Sequence, residues 1–247
     1  MENVIGKVTV VGLGPGDLSY MTPIVKEAIV EADVVVGYKT YIDLIADLLE
    51  GKTVINNGMR REVERCKRAV EIAEEGKKVV LVSSGDPGIY GMAGILLEIK
   101  EETNSAIDVD ILPGITAVSA AAAALGAPLM HDFVVISLSD LLTDWEVIKR
   151  RLHCGGEGDF IVGLYNPKSN TRTTQIEEAR EILLKYRKED TPVGIVRNAK
   201  RGNEEVVITN LGDMLQHTIH MTTVVIIGNS NTYIKNGKMI TPRGYKI

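Results

Sequence analysis

The stretch Val79-Val80-Leu81-Val82-Ser83-Ser84-Gly85-Asp86-Pro87-Gly88-Ile89-Tyr90-Gly91-Met92-Ala93-Gly94 decides how this chain folds. Its apolar run stops at Ser83-Ser84-Gly85 and reads as a buried strand. Asp86-Pro87 then reads as an N-cap followed by proline at the first helical position, so strand, tight turn and helix are predicted in that order. Proline also pushes Asp86 out of the helical region and holds its carboxylate at the lip of the strand's carboxyl end, where open α/β sheets bind ligands. Glycines 85, 88, 91 and 94 each cost a helix about 1 kcal/mol relative to alanine, which is tolerable where something must approach the backbone closely. A helix packed tightly on a sheet, with no ligand, is the plainer alternative.

Toward the N-terminus, Lys7-Val8-Thr9-Val10-Val11 is apolar almost throughout, as a strand covered on both faces would be. The turn Gly12-Leu13-Gly14-Pro15-Gly16-Asp17 follows at once. Thr22-Pro23 then opens a helix with Val25, Ala28, Ile29 and Ala32 at helical spacing. Val34-Val35-Val36 gives a second strand, a short helix runs to about Leu49, and Thr53-Val54-Ile55 gives a third strand. Segment 62–75 places Val63, Cys66, Val70 and Ala73 along one helical face, stopped by Gly76. Beyond the central stretch, 107–112 is a further strand ended by Pro113-Gly114. The alternation predicts a mostly parallel sheet.

Near Gly114 the texture changes. Residues 116–125 form an alanine-rich helix whose small side chains permit close packing, read as the joint between two halves. A second series follows, with strands near 134–138, 160–164, 193–197, 206–209 and 223–227 and helices near 144–152, 174–187 and 211–216. The fold class is α/β, with two α/β domains, 1–115 and 116–247, sharing a cleft.

At 247 residues, with 45% hydrophobic and 25% charged residues, the composition is that of an ordinary soluble globular protein. No apolar run is long enough to span a bilayer, and Met1-Glu2-Asn3 leads straight into a strand-like run. A cytoplasmic protein without membrane association is therefore expected. A net charge of -5 and 4% aromatic residues argue against a nucleic-acid partner, while leaving room for an anionic small molecule met by a local arginine cluster. Cys66 and Cys154 lack further cysteines at metal spacing and read as reduced structural thiols, so no metal site is expected.

The first glycine turn invites a dinucleotide reading, yet the fingerprint's third glycine is replaced by Asp17. A carboxylate near a helix N-terminus repels a pyrophosphate and competes for the same donors. A cofactor without phosphates, carrying hydroxyls and a positive centre, suits glycine-rich backbone beside Asp86. S-adenosylmethionine answers that description.

Four motifs occur in order along the chain: Gly12-Leu13-Gly14-Pro15-Gly16-Asp17, Ser84-Gly85-Asp86-Pro87-Gly88-Ile89-Tyr90-Gly91, Pro113-Gly114-Ile115-Thr116-Ala117 and Pro192-Val193-Gly194-Ile195-Val196-Arg197-Asn198. Together they resemble the tetrapyrrole methylase family, S-adenosylmethionine-dependent enzymes of two α/β domains with the cofactor in the cleft between them. Residues 131–143, Leu164-Tyr165-Asn166-Pro167-Lys168-Ser169 and Thr241-Pro242-Arg243-Gly244-Tyr245 are similar to the branch that methylates C(17) of a corrin precursor. That branch also contracts the ring on the way to cobalamin, acting on a metal-free or a cobalt-containing macrocycle. A family member acting at another position, or a non-catalytic binding module, is the alternative.

The resemblance implies cofactor contacts at Pro15, Gly85, Asp86, Ile89, Thr116, Ala117, Tyr165, Asn166, Asn198, Ala199 and Thr223, most of them through backbone. It also implies a polycarboxylate tetrapyrrole substrate and a homodimer. Arg60, Arg61, Lys168 and Arg172, with Lys200-Arg201, are the loop-placed cations for the substrate's carboxylates, arginine offering the bidentate geometry that a carboxylate prefers. Ring contraction needs proton transfer, for which His131 and Asp132 are the candidates, His131 also as a residue that could approach the macrocycle's metal. His217 and His220 read as surface residues.

Overall fold

The computed structural model describes residues 6–58 and 60–246. Met1-Glu2-Asn3, read above as leading into the first strand, lies outside them. The chain divides into two compact units, Met1–Ala117 and Val118–Ile247.

The first unit contains β1 (Lys7–Gly12), α1 (Pro23–Glu31), β2 (Val34–Tyr38), α2 (Lys39–Leu44), β3 (Thr53–Asn57), α3 (Glu62–Glu74), β4 (Lys78–Ser83), α4 (Ala93–Thr103) and β5 (Asp108–Leu112). The strands pair in parallel in the order β3-β2-β4-β1-β5. Side chains alternate between the two faces of a strand. Val10, Val36, Val79 and Leu81 therefore pack on one face with Cys66, Ala69 and Ala73 of α3 and Leu96 of α4. Val11, Val35, Val80 and Val82 pack on the other with Val25 and Ile29 of α1 and Ile42 of α2. Each fully buried valine, leucine or isoleucine contributes about 1.5–3 kcal/mol, and two-sided burial explains the unbroken apolar runs.

Two details of this unit differ from the sequence reading. The helix after the central strand begins at Ala93, with Met92 at its N-cap, not at Pro87. Tyr90 adopts a left-handed φ of 53°, and Ile89 N donates to Asp86 O, so residues 86–92 run as successive turns. On α3, Val63 is exposed, and the buried stripe is Arg65, Cys66, Ala69, Val70, Ile72 and Ala73. At 100° per residue that stripe centres on Ala69, and Val63 falls at its rim.

The second unit contains α5 (Ala117–Leu125), whose first residue closes the first unit, then β6 (Gly126–Ala127), β7 (Phe133–Ser137), α6 (Trp145–Glu157), β8 (Ile161–Tyr165), α7 (Gln175–Leu184), β9 (Pro192–Arg197), β10 (Glu205–Asn210), β11 (Thr223–Ile227), β12 (Tyr233–Lys235) and β13 (Lys238–Ile240). The main sheet runs β10-β9-β11-β8-β7. Only β7 and β8 are parallel in it; β8, β11, β9 and β10 alternate in direction. The connection between β9 and β10 explains the first of these reversals. A parallel neighbour needs a crossover of a dozen or more residues, and the short loop between β9 and β10 permits only a return. The helix expected at 211–216 is reduced to a 3₁₀ turn, Met214–Gln216.

One face of this sheet is filled by Ile148 and Leu152 of α6 and Ile176, Ala179 and Leu183 of α7. α5 approaches strands β8 and β9 at two mid-strand glycines. A Cβ on Gly163 would lie 2.9 Å from Val118 Cγ2, and one on Gly194 would lie 2.5 Å from Leu125 Cδ2. Both glycines pair with Ile226 of β11, so they form one row under the helix. The small sheet β12-β13-β6 was not anticipated. Its turn is Asn236-Gly237, both at positive φ (51° and 69°), a strong hairpin signal in any sequence.

Among the described residues no helix is long and apolar enough to cross a membrane. Cys154 is exposed and Cys66 is buried in α3, where burial pushes its thiol up to about 12.

Two outcomes are expected. Gly194→Ala lowers stability by about 1–3 kcal/mol in urea unfolding through overpacking. Leu125→Ala made in that background costs less than the about 2–5 kcal/mol it costs alone, because the two side chains compete for one space. In mildly alkaline iodoacetamide, intact-mass analysis should find Cys154 alkylated and Cys66 protected until denaturant is added. Rapid modification of both in the native protein would mean that α3 does not hold its thiol.

Candidate cofactor and substrate site

In the first unit β1, β4 and β5 are neighbours, and the loops leaving their carboxyl ends meet backbone to backbone. Gly14 N donates to Gly85 O (3.1 Å) and Gly85 N donates to Gly14 O (2.8 Å). A Cβ on Gly12 would lie 2.5 Å from Gly85 O, and one on Gly114 would lie 2.5 Å from Gly12 O. No side chain fits between these loops. Gly14 and Gly85 also have left-handed φ values of 77° and 61°, the conformation in which glycine carries no Cβ penalty.

The chain leaves β1 for α1 on one face of the sheet and leaves β4 for α4 on the other. The crevice between such strands is where open parallel sheets take ligands.

Asp86 closes this arrangement. Its Oδ1 accepts from Gly88 N (2.8 Å) and its Oδ2 from Gly114 N (3.1 Å), so the carboxylate ties the β4 loop to the β5 loop. The sequence reading made it a helix cap; its partners are turn and loop amides instead. Beside it, Pro15 and Gly85 are buried, Thr116 and Ala117 are half-buried, and Ile89 is exposed at the tip of the turns. A Cβ on Gly85 would meet nothing closer than 3.8 Å, so this floor is open to an incoming group. Asp17 lies outside it. It caps the 3₁₀ turn Leu18–Tyr20 by accepting from Ser19 N and Oγ, bonds that hold its carboxyl below the usual range, and α1 begins only at Pro23.

The second unit brings its own candidates to one edge of its sheet. Tyr165 ends β8, Asn198 and Ala199 follow β9, and Thr223 opens the antiparallel β11 opposite Arg197. Tyr165 Oη accepts from Val118 N of α5 (2.6 Å). Asn166, at φ 49°, donates from Nδ2 to Ser137 Oγ (3.0 Å). Thr223 Oγ1 accepts from His220 N (3.0 Å).

Among the cations, Arg172 donates from Nη2 to Asn166 O (2.9 Å), while its Nε is buried without a partner among the described residues. Lys168 is half-buried on the same loop. Lys200 pairs with Glu204 (3.7 Å), as Arg61 does with Glu64 (2.9 Å). Arg60 is exposed in the loop after β3, at a left-handed φ of 64°.

His131 and Asp132 are not brought to this edge. They precede β7, whose parallel partner β8 carries Tyr165 at its far end. Five residues of strand at about 3.3 Å each separate them from Ser137, on the order of 17 Å. Their side chains are 50% and 82% exposed, and His131 Nδ1 accepts from Asp132 N. Among the described residues no group of three or more His, Cys, Asp or Glu side chains is placed to hold a metal ion.

One charged residue was missed. Arg65, on the buried stripe of α3, is 4% exposed and donates to Asn57 Oδ1 (2.9 Å) and Gly58 O (3.1 Å) at the end of β3. An arginine four residues before Ala69 on an otherwise apolar face was the available signal.

Known proteins resemble the chain in sequence and in fold. A Priestia megaterium protein named "Cobalt-factor III methyltransferase" is 51% identical over 98% of this chain, which spans 45% of that protein's length. A Salmonella typhimurium protein named "Probable cobalt-factor III C(17)-methyltransferase" is 49% identical over 97% of this chain and 99% of its own. The crystal structure of the methyltransferase CobJ superposes with a TM-score of 0.92 at 41% identity, covering 96% of this chain and all of that one. The family profile described as Tetrapyrrole (Corrin/Porphyrin) Methylases matches residues 7–215, from β1 to the turn after β10, and the chain belongs to that family.

Proposed function

We propose that this chain transfers a methyl group from S-adenosylmethionine to C(17) of cobalt-factor III or of metal-free precorrin-3B, with contraction of the macrocycle, in cobalamin biosynthesis. The observation that carries the reading is the floor at the ends of β1, β4 and β5, where main chain and one locked carboxylate face an open approach. The Salmonella relative, matched from end to end, supports the substrate.

When bound, S-adenosylmethionine supplies an electrophilic methyl on a positively charged sulfur. The chain's part is orientation: fixing donor and acceptor together converts a bimolecular step into an effectively unimolecular one. Gly85, Asp86 and the flanking Pro15, Ile89, Thr116 and Ala117 are the proposed cofactor contacts of the first unit. Tyr165, Asn166, Asn198, Ala199 and Thr223 are those of the second. Asp86 acts mainly by holding two loops in register, since both its oxygens are occupied by backbone amides. Arg60, Arg61, Lys168 and Arg172 are proposed to meet the substrate's carboxylates. His131 and Asp132, at the other edge of the second sheet, receive no proton-transfer role. The proposal extends to a homodimer working in the cytoplasm.

Two measurements test this. Anaerobic incubation with S-adenosylmethionine and either cobalt-factor III or precorrin-3B, followed by mass spectrometry, should show a gain of one methyl group on the pigment. No gain with either substrate, despite tight cofactor binding, would sink the C(17) assignment. Asp86→Ala removes two charge-assisted bonds of about 1.5–3 kcal/mol each, and calorimetry should find S-adenosylmethionine binding weakened by about tenfold or more. An unchanged Kd would show that the loops hold their register without it.

A further inference from the structure

We propose that a cavity beside α3 is a carboxylate site, in which Arg65 and Asn57 take an acid-bearing side arm of the macrocycle. The proposal rests on the tetrapyrrole reading above and assigns it an anchoring point. The cavity, about 470 Å³, opens where β3 forms the edge of the first sheet. Val36 and Ile55 supply apolar wall, and Asn57, Arg65 and Lys67 supply polar lining. That combination suits a short methylene arm ending in a carboxylate.

The charge balance points the same way. Arg61 and Arg68 also line the cavity, as do the carboxylates they pair with, Glu64 (2.9 Å) and Glu71 (3.0 Å), so the lining carries more positive than negative charge. Arg65 has no carboxylate partner among the described residues. Its guanidinium is engaged by Asn57 Oδ1, Gly58 O and the weak thioether acceptor Met92 Sδ (3.7 Å), and it lies 5.9 Å from the Tyr38 ring centroid. Five N–H donors and a full positive charge, nearly removed from water, call for an anion that these neutral groups do not provide.

Asn57 prepares the second donor. Arginine can only donate, so the amide must turn Oδ1 toward Arg65, leaving Nδ2 to donate elsewhere. A carboxylate reaching this point would meet the guanidinium fork and the amide together. The contact to Met92 also links the site to the turns that follow Asp86, so an arm held here belongs to a ligand lying along the carboxyl ends of the strands.

The test is an absorbance titration of wild type, Arg65→Lys and Lys67→Glu with cobalt-factor III, with S-adenosylmethionine binding and thermal unfolding measured on each. Lys67 is exposed, so its reversal changes the cavity's charge without touching the core. The expected result is tetrapyrrole affinity weakened about tenfold by Arg65→Lys, which keeps the charge but loses the fork. Lys67→Glu should weaken it several-fold, with cofactor affinity and Tm unchanged. Unaltered tetrapyrrole affinity in both variants would overturn the site. Inorganic phosphate binding that is lost in Lys67→Glu, while tetrapyrrole affinity stays at the wild-type value, would overturn it in favour of a free-anion site. A wild type that binds S-adenosylmethionine but no tetrapyrrole would overturn both this inference and the function on which it rests.

Discussion

The reciprocal backbone pair between Gly14 and Gly85 is the constraint on which the candidate site depends. Parallel strands alone bring their carboxyl ends to one edge, but the loops that follow normally diverge toward opposite faces. Two amides and two carbonyls hold these loops together, and Asp86 adds the third by accepting from Gly114. Because the parts in contact are main chain, glycine is required on each side, and the spacing of glycines in the sequence follows from that packing. An open parallel sheet becomes a surface with fixed hydrogen-bonding groups.

The second unit reaches a comparable result by other means. Its sheet is mostly antiparallel, so strand starts and strand ends share an edge, and Thr223 lies level with Arg197. Here the residues are placed by individual bonds, from Tyr165 to Val118 N and from Asn166 to Ser137. The glycine row Gly163 and Gly194 lets α5 come close enough for the first of these bonds to form.

Much of this was legible in the sequence. Unbroken apolar runs gave the buried strands, since two-sided burial leaves no alternation to read. The glycine turns announced loops that touch. Other features depended on information that is not local. Asp86-Pro87 has the signature of a helix start, and only Gly114, distant in sequence, reveals that its carboxylate is already committed. The direction of β9 to β11 depended on connection length more than on residue type, and expecting a helix at 211–216 concealed it. His131-Asp132 is chemically apt as an adjacent acid and base, and its place before a strand is legible, but that Tyr165 lies at the opposite end follows only from the parallel pairing of β7 with β8. Arg65 was hidden by treating α3 as an apolar stripe, where one charged residue carried more information than its neighbours. The Asn236-Gly237 turn is legible from the dipeptide alone.

The pairing of β1 has a consequence for how the chain is made. Lys7 pairs with Lys78 on one side and Asp108 on the other, so β1 is an interior strand of the finished sheet and waits for partners about 70 and 100 residues away. Until β4 and β5 emerge, the Val8-Thr9-Val10-Val11 segment has both edges open, and only its Val11 face can be covered, by α1. Synthesis at about 5–20 residues per second keeps it in that condition for several seconds, long enough for a chaperone to bind it or for two nascent chains to pair through it. The neighbours that give this strand its place in the site therefore also make the first half of the chain the vulnerable half during biogenesis.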